Sequence, residues 1–181
     1  MNFELNEDQV QLRDSVTRLL TDVYSFEQRR AIAATPAGTS LQVWRQLCEL
    51  GVSGLRISEE DGGFGGTASD LVPVLQAFGK ALLTEPFLTS AVLSATAISQ
   101  ATDEATRRAL LPRLASGEQV AAWACDESAG RHAPCWVETT ARQVNNQWQL
   151  SGAKDCVLNA PQAHAFIVSA RVSGEPADPQ G

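Results

Sequence analysis

The chain has 181 residues, enough for one domain or one and a part, and 44% of them are apolar, as in a packed globular protein. Its 14 basic and 21 acidic residues give a formal charge of −7, and the only adjacent basic pairs are Arg29-Arg30 and Arg107-Arg108. That balance argues against nucleic acid or an anionic membrane as the main partner. No apolar run reaches the roughly 18 residues of a membrane span, and Met1 leads straight into a polar, capped helix rather than a signal peptide.

Residues 1 to about 117 read as helices joined by short loops. Asn6 followed by Gln9 forms a capping-box start, and Val10, Leu12, Val16, Leu19, Leu20 and Val23 then give one apolar face ending near Tyr24. A second helix covers Phe26 to Ala34 and stops before Pro36. Ser40 caps a third, with Leu41, Val43, Trp44, Leu47 and Leu50 inward and Gly51 ending it. A loop-rich connector, VSGLRISEEDGGFGGT, leads to a helix starting at Ser69 or Asp70 and running through Leu83, with Leu71, Val72, Val74, Leu75 and Phe78 inward. Pro86 to Gln100 reads as one largely apolar helix, buried on more than one side. Thr102 caps a last helix to about Ala115, which Pro112 should bend or shorten and Gly117 ends.

After Gly117 the pattern changes to period two. Val120 to Cys125 is a short apolar run; Val137 to Val144 and Gln147 to Ser151 flank an Asn145-Asn146 turn; Phe166 to Val172, just after His164, is another strand. The expected fold class is therefore α+β, an N-terminal all-helical domain (1–118) followed by an antiparallel β domain (119–181). The β segment runs into GEPADPQG, a loop by composition, before a barrel or sandwich closes, so it is expected to be the incomplete start of a longer protein.

Residue chemistry alone names no catalytic set. Gly62-Gly63-Phe64-Gly65-Gly66 has neither the GxGxxG spacing nor the Lys-Ser/Thr of a phosphate loop, and reads as an interhelical turn needing positive φ. His132 and His164 have no partner at metal-ligand spacing, and Cys48, Cys125, Cys135 and Cys156 form no CxxC. Thiols of this kind fit a reducing compartment, and a cytoplasmic location is expected. Asp126-Glu127 is a carboxylate pair at a strand end, open to a site role or to simple solvation. Trp123, Trp136 and Trp148 cluster on the β side, as core packing or as walls for a planar cofactor.

Four segments taken together resemble the N-terminal half of an acyl-CoA dehydrogenase: FELNEDQVQLRDSVTRLL, SEEDGGFGG, AFGKALLTEPF, and VAAWACDESAG followed by TTA and GAKDCVLNAPQAHAFIVSAR. Ser58 stands where the family usually has Pro. The stretch DVYSFEQRRAIAATPAG looks closest to small subunits of heteromeric bacterial members, such as the pimeloyl-CoA type. The resemblance implies FAD as cofactor and an acyl-CoA as substrate, desaturated between its α and β carbons with the β-hydride passing to the flavin. It also implies oligomerisation with like or related subunits and an electron-transfer flavoprotein as redox partner.

The first flavin-contacting run of the family matches Trp123-Ala124-Cys125-Asp126-Glu127-Ser128, and the second matches Lys154-Asp155-Cys156-Val157-Leu158-Asn159. The resemblance therefore assigns Trp123, Cys125, Asp126, Glu127, Ser128, Cys156, Val157 and Leu158 to the cofactor. Glu127, Lys154 and Asn159 are retained. Asp126 replaces a Thr hydroxyl, Cys156 an aromatic ring and Leu158 a second hydroxyl, and Arg131-His132-Ala133 stands where many members have GSD. The family's catalytic base and C-terminal helical domain are expected beyond residue 181, so no catalytic residue is assigned within the chain. The alternative is a degenerate, non-catalytic subunit supporting a flavin-bearing partner.

Overall fold

A computed structural model describes residues 4–100, 103–131, 133 and 135–179. Thr102, expected to cap a helix, and His132 lie outside the described residues.

Local sequence signals set the helix starts. In α1 (Glu7–Val23) the Asn6 side chain accepts from Gln9 N at 2.8 Å while Gln9 Oε1 accepts from Asn6 N at 3.0 Å, closing the expected capping box. Ser25 and Gln28 repeat the device at α2 (Phe26–Ala33). Ser40 caps α3 (Leu41–Glu49), and Gly51 ends it at φ 84°. Gln9 Nε2 also donates to Asp70 at 2.8 Å, tying α1 to α4 (Ala68–Ala81).

The glycine-rich connector folds back on itself. The N–H groups of Phe64, Gly65 and Gly66 donate to the carbonyls of Gly54, Ile57 and Leu55 at 3.0, 2.7 and 2.7 Å. Gly62 and Gly65 take the positive φ expected of a turn, while Gly63 serves close approach: a Cβ there would lie 2.3 Å from Ile57 O and 2.5 Å from Gly54 O.

Several side chains expected inward are not. Leu71, Val74 and Phe78 are buried on α4, but Val72 and Leu75 are 49% and 41% exposed, because the buried face runs through Leu71, Pro73, Val74, Ala77 and Phe78 and leaves them outside it. Leu41, the first residue of α3, is 53% exposed. The segment expected as one helix from Pro86 to Gln100 is a π-helix over Phe87–Ser94 that passes into α5 (Ala95–Ser99); Phe87, Thr89, Ser90, Ala91 and Ser94 are all buried. α6 (Glu104–Ala115) is capped by Asp103, whose carboxylate accepts from Ala105 N at 3.0 Å. Pro112 does not shorten it, since in the last turn a proline deletes only one ladder bond.

The β unit has two pairings. β2 (Thr140–Val144) and β3 (Gln147–Ser151) form the expected antiparallel hairpin, with Asn145 and Asn146 at φ 50° and 62°. β1 (Ala121–Ala124) pairs with β4 (Ala165–Val168) in parallel, in the register Ala121↔Ala165. A parallel partner requires a long crossover, which the intervening hairpin and loops supply. One core joins α1, α3, α4 and the π-helix around Trp44, Leu47 and Val74; a second joins α6, Ile57 and Ile98 to Ala121 of β1. Among the described residues no helix is long and apolar enough to cross a membrane, no group of His, Cys, Asp and Glu could hold a metal, and the cysteines are unpaired.

Gly117 ends α6 at φ 73°, and a Cβ there would sit 2.3 Å from the Sγ of buried Cys48. Burial pushes the Cys48 thiol up to about 11, a hydrogen bond with Ser53 opposing, so it packs as a neutral group. Gly117→Ala combines left-handed strain with overpacking, and urea denaturation is expected to give a loss of about 2 kcal/mol.

Candidate functional site

The C-terminal ends of β1, β3 and β4 and the start of β2 converge on one buried ion pair. Glu127 follows β1 and Lys154 follows β3; their side chains are 4% and 8% exposed and meet at 2.7 Å. Lys154 Nζ also donates to Ser169 Oγ at 2.8 Å, after β4, and to the Cys125 carbonyl at 3.3 Å. Glu127 accepts from the N–H and hydroxyl of Thr139 at 2.9 and 2.6 Å, and from Glu138 N–H. Burial alone would push this carboxyl up, but Lys154, Thr139 and the two main-chain donors outweigh it and hold the pKa at about 2. With every oxygen and proton matched, the pair is a structural pin rather than a proton donor or acceptor.

That pin brings together the two runs singled out in the sequence. Asp155 N donates to the Asp126 carbonyl at 2.9 Å, and Ser128 gives its N–H (3.0 Å) and its hydroxyl to the Asp155 carboxylate. Trp123, Cys125, Asp126 and Glu127 line one cavity of about 310 Å³ with Gly130, Ala133 and Trp136. The Trp136 indole Nε1 is buried without a hydrogen-bond partner among the described residues. Burial, with the neighbouring Asp126 charge adding to it, pushes the Cys125 thiol up. Trp148, grouped with these tryptophans from sequence, instead sits on the hairpin at 62% exposure.

Cys156, Val157 and Leu158 form the adjoining turn. Cys156 and Asn159 hold positive φ of 52° and 58°, and Leu158 is 65% exposed. The turn is clipped to the helical unit through Asn159, whose Oδ1 accepts from Thr89 on the π-helix at 2.9 Å and whose Nδ2 donates to Thr84 O at 3.4 Å. Ser90 Oγ, one residue further on, accepts from Ala121 N at 3.0 Å. Among the described residues the main-chain N–H groups of Asp126, Glu127, Lys154, Cys156, Val157, Leu158 and Asn159 have no acceptor.

The retained and exchanged residues thus divide by environment. Glu127, Lys154 and Asn159 hold the frame, while Asp126, Cys156 and Leu158 are exposed on its surface. Sequence reasoning missed Thr139, Ser169 and Thr89, which no local spacing marks. It also missed Arg171, whose buried guanidinium donates to the carbonyls of Val137, Ser173, Pro176 and Asp178 at 3.1, 3.2, 3.1 and 2.6 Å. An arginine closing an apolar strand was the one signal available.

Comparison with known proteins bears on this geometry. The family profile "Acyl-CoA dehydrogenase, N-terminal domain" matches residues 6–118, more than half of the chain. Acyl-CoA dehydrogenase IpdE2 of Mycolicibacterium smegmatis is 39% identical over 85 residues, 46% of this chain and 27% of that protein. The ChsE4-ChsE5 complex from Mycobacterium tuberculosis superposes with a TM-score of 0.84 at 26% identity, covering 95% of this chain and 46% of that one. An acyl-CoA dehydrogenase complexed with FAD from Bacillus anthracis shares the fold, with a TM-score of 0.83 at 22% identity over 95% of this chain and 30% of that one. The chain therefore spans between about a quarter and a half of the proteins it matches. With the profile match covering the whole helical unit, the chain belongs to the acyl-CoA dehydrogenase family.

Proposed function

We propose that residues 1–118 and 119–181 are the helical domain and the start of the β domain of an FAD-dependent acyl-CoA dehydrogenase. The observation that carries this reading is the docking of run 123–128 against run 154–159, with unbonded main-chain N–H groups at Asp126, Val157 and Leu158. Such donors suit the electron-rich edge of a flavin and depend on backbone shape, so they survive the exchanges at Asp126 and Leu158. Trp123, Cys125, Asp126, Glu127, Ser128, Cys156, Val157 and Leu158 would hold the cofactor, Glu127 by fixing the run rather than by contact. When bound, FAD supplies the hydride acceptor for α,β-desaturation of an acyl-CoA lying between the helical and β units. The catalytic base belongs to a part of the protein outside these 181 residues. An electron-transfer flavoprotein would take the electrons, and the ChsE4-ChsE5 likeness supports assembly with a second acyl-CoA dehydrogenase subunit.

The test is isolation of the full-length protein with any co-purifying chain. Stoichiometric flavin absorbance that an acyl-CoA bleaches is the expected result. Leu158→Thr, restoring a hydroxyl beside the ring, should tighten flavin retention about tenfold by equilibrium dialysis. A second reading rests on the exposure of Asp126, Cys156 and Leu158: a non-catalytic subunit whose family-typical side chains were lost only where the cofactor would touch. A colourless chain that co-purifies with a yellow partner would favour it.

A further inference from the structure

A second cavity of about 310 Å³ opens where the helical and β units meet, away from both runs just described. Leu41, Trp44, Pro86 and Val120 give it apolar walls, and Gln162 and His164 reach it from the turn before β4. The orientation of the Gln162 amide is fixed by its partners. Its Nε2 donates to the Ala37 carbonyl, which can only accept, and to Thr39 Oγ1 at 2.9 Å. Gln162 Oε1 is therefore the atom left over, and it is buried with no donor among the described residues. His164, an exposed residue, accepts from Val120 N at 3.1 Å through Nδ1, which leaves Nε2 as the ring's solvent-accessible donor.

A buried acceptor left without a donor, with a solvent-accessible donor and apolar walls beside it, describes a ligand with the reverse set. Its charge is constrained as well. No Lys or Arg lines the cavity, and the buried Glu85 carboxylate is bonded to Ser40 of its lining, so an anion is disfavoured. Glu85 accepts from Ser40 N at 3.1 Å and Thr84 N at 3.2 Å and is not itself part of the lining, so the cavity presents no carboxylate of its own to a cation. We propose that this cavity binds a neutral, largely apolar molecule carrying a carboxamide, whose N–H meets Gln162 Oε1 and whose oxygen meets His164 Nε2. Because the walls come from both units, the ligand would also fasten the β unit to the helices.

Benzamide is the probe, with toluene and benzoate as controls, read by ligand-observed NMR and thermal shift on the protein. Benzamide should saturate in the millimolar range, as befits a ligand of its size, with both controls at least about tenfold weaker. Gln162→Leu should weaken benzamide about tenfold and leave toluene unchanged. Leu41→Trp, at the exposed first position of α3, should abolish binding of benzamide without altering the melting temperature, and decides alone if Gln162→Leu unfolds. Absence of saturable benzamide binding, equal binding of benzoate, or binding indifferent to Leu41→Trp would each overturn the assignment.

Discussion

Replacing Lys154 by methionine lowers the unfolding free energy by about 4 kcal/mol in chemical denaturation, the largest loss expected of any single side chain in the β unit. The Lys154 stem can be mimicked in length, so packing changes little. What remains is a carboxylate at 4% exposure whose nearest cation has gone, together with a Ser169 hydroxyl and a Cys125 carbonyl that keep only their own contact at 3.5 Å. Acid sensitivity moves with it. In the parent protein the Glu127 pKa falls from an ordinary 4.5 to about 2, so its contribution is complete above pH 4.5, declines through that window and is lost below about 2. In Lys154→Met the Glu127 pKa rises, the window narrows and shifts upward, and a plot of melting temperature against pH separates the two proteins most at neutral pH and least near pH 2. A double replacement, Glu127→Gln with Lys154→Met, should recover part of the loss, because a neutral amide still accepts from Thr139 at far lower desolvation cost.

Gly63→Ala should cost about as much by a different route. The added methyl would stand 2.3 and 2.5 Å from two carbonyl oxygens and 2.6 Å from the Ile57 carbonyl carbon, all backbone atoms that cannot rotate away. The three bonds from Phe64, Gly65 and Gly66 to the 54–57 turn must then lengthen or break. A loss of about 3 kcal/mol or more is expected by urea denaturation. Gly65→Ala, where the nearest atom is a Glu59 side-chain carbon at 4.0 Å, meets only the φ strain and should cost about 1 kcal/mol. The contrast between neighbouring glycines distinguishes close approach from conformational freedom.

Features written in short sequence windows were legible: the Asn6-Gln9 box, the Ser40 cap, the Asn145-Asn146 turn and the glycine stops all follow from residues three or four apart. The family could be read because its four segments keep their order across the chain. What stayed hidden depends on distance in the chain. Nothing near Glu127 announces Lys154, 27 residues on, and nothing near Asn159 announces Thr89, 70 residues back. Winding was hidden too, since an apolar run such as Phe87–Ser94 fits an α- or a π-helix equally by periodicity. The sequence comparison marked Asp126, Cys156 and Leu158 as exchanges but could not say that they sit on the exposed side of a frame whose retained members point inward.

The parallel pairing of β1 with β4 has a consequence for how the chain is made. β1 leaves the ribosome with Ala121, but its hydrogen-bonding partner begins at Ala165, so a buried strand waits for more than forty residues to be synthesised before it can be zipped. During that interval the helical unit, already complete, shields Ala121 through Ser90 of the π-helix and through the core of α6, Ile57 and Ile98. The helical unit acts in this sense as a template on which the β unit is assembled. Variants that loosen the π-helix should slow refolding more than they lower equilibrium stability.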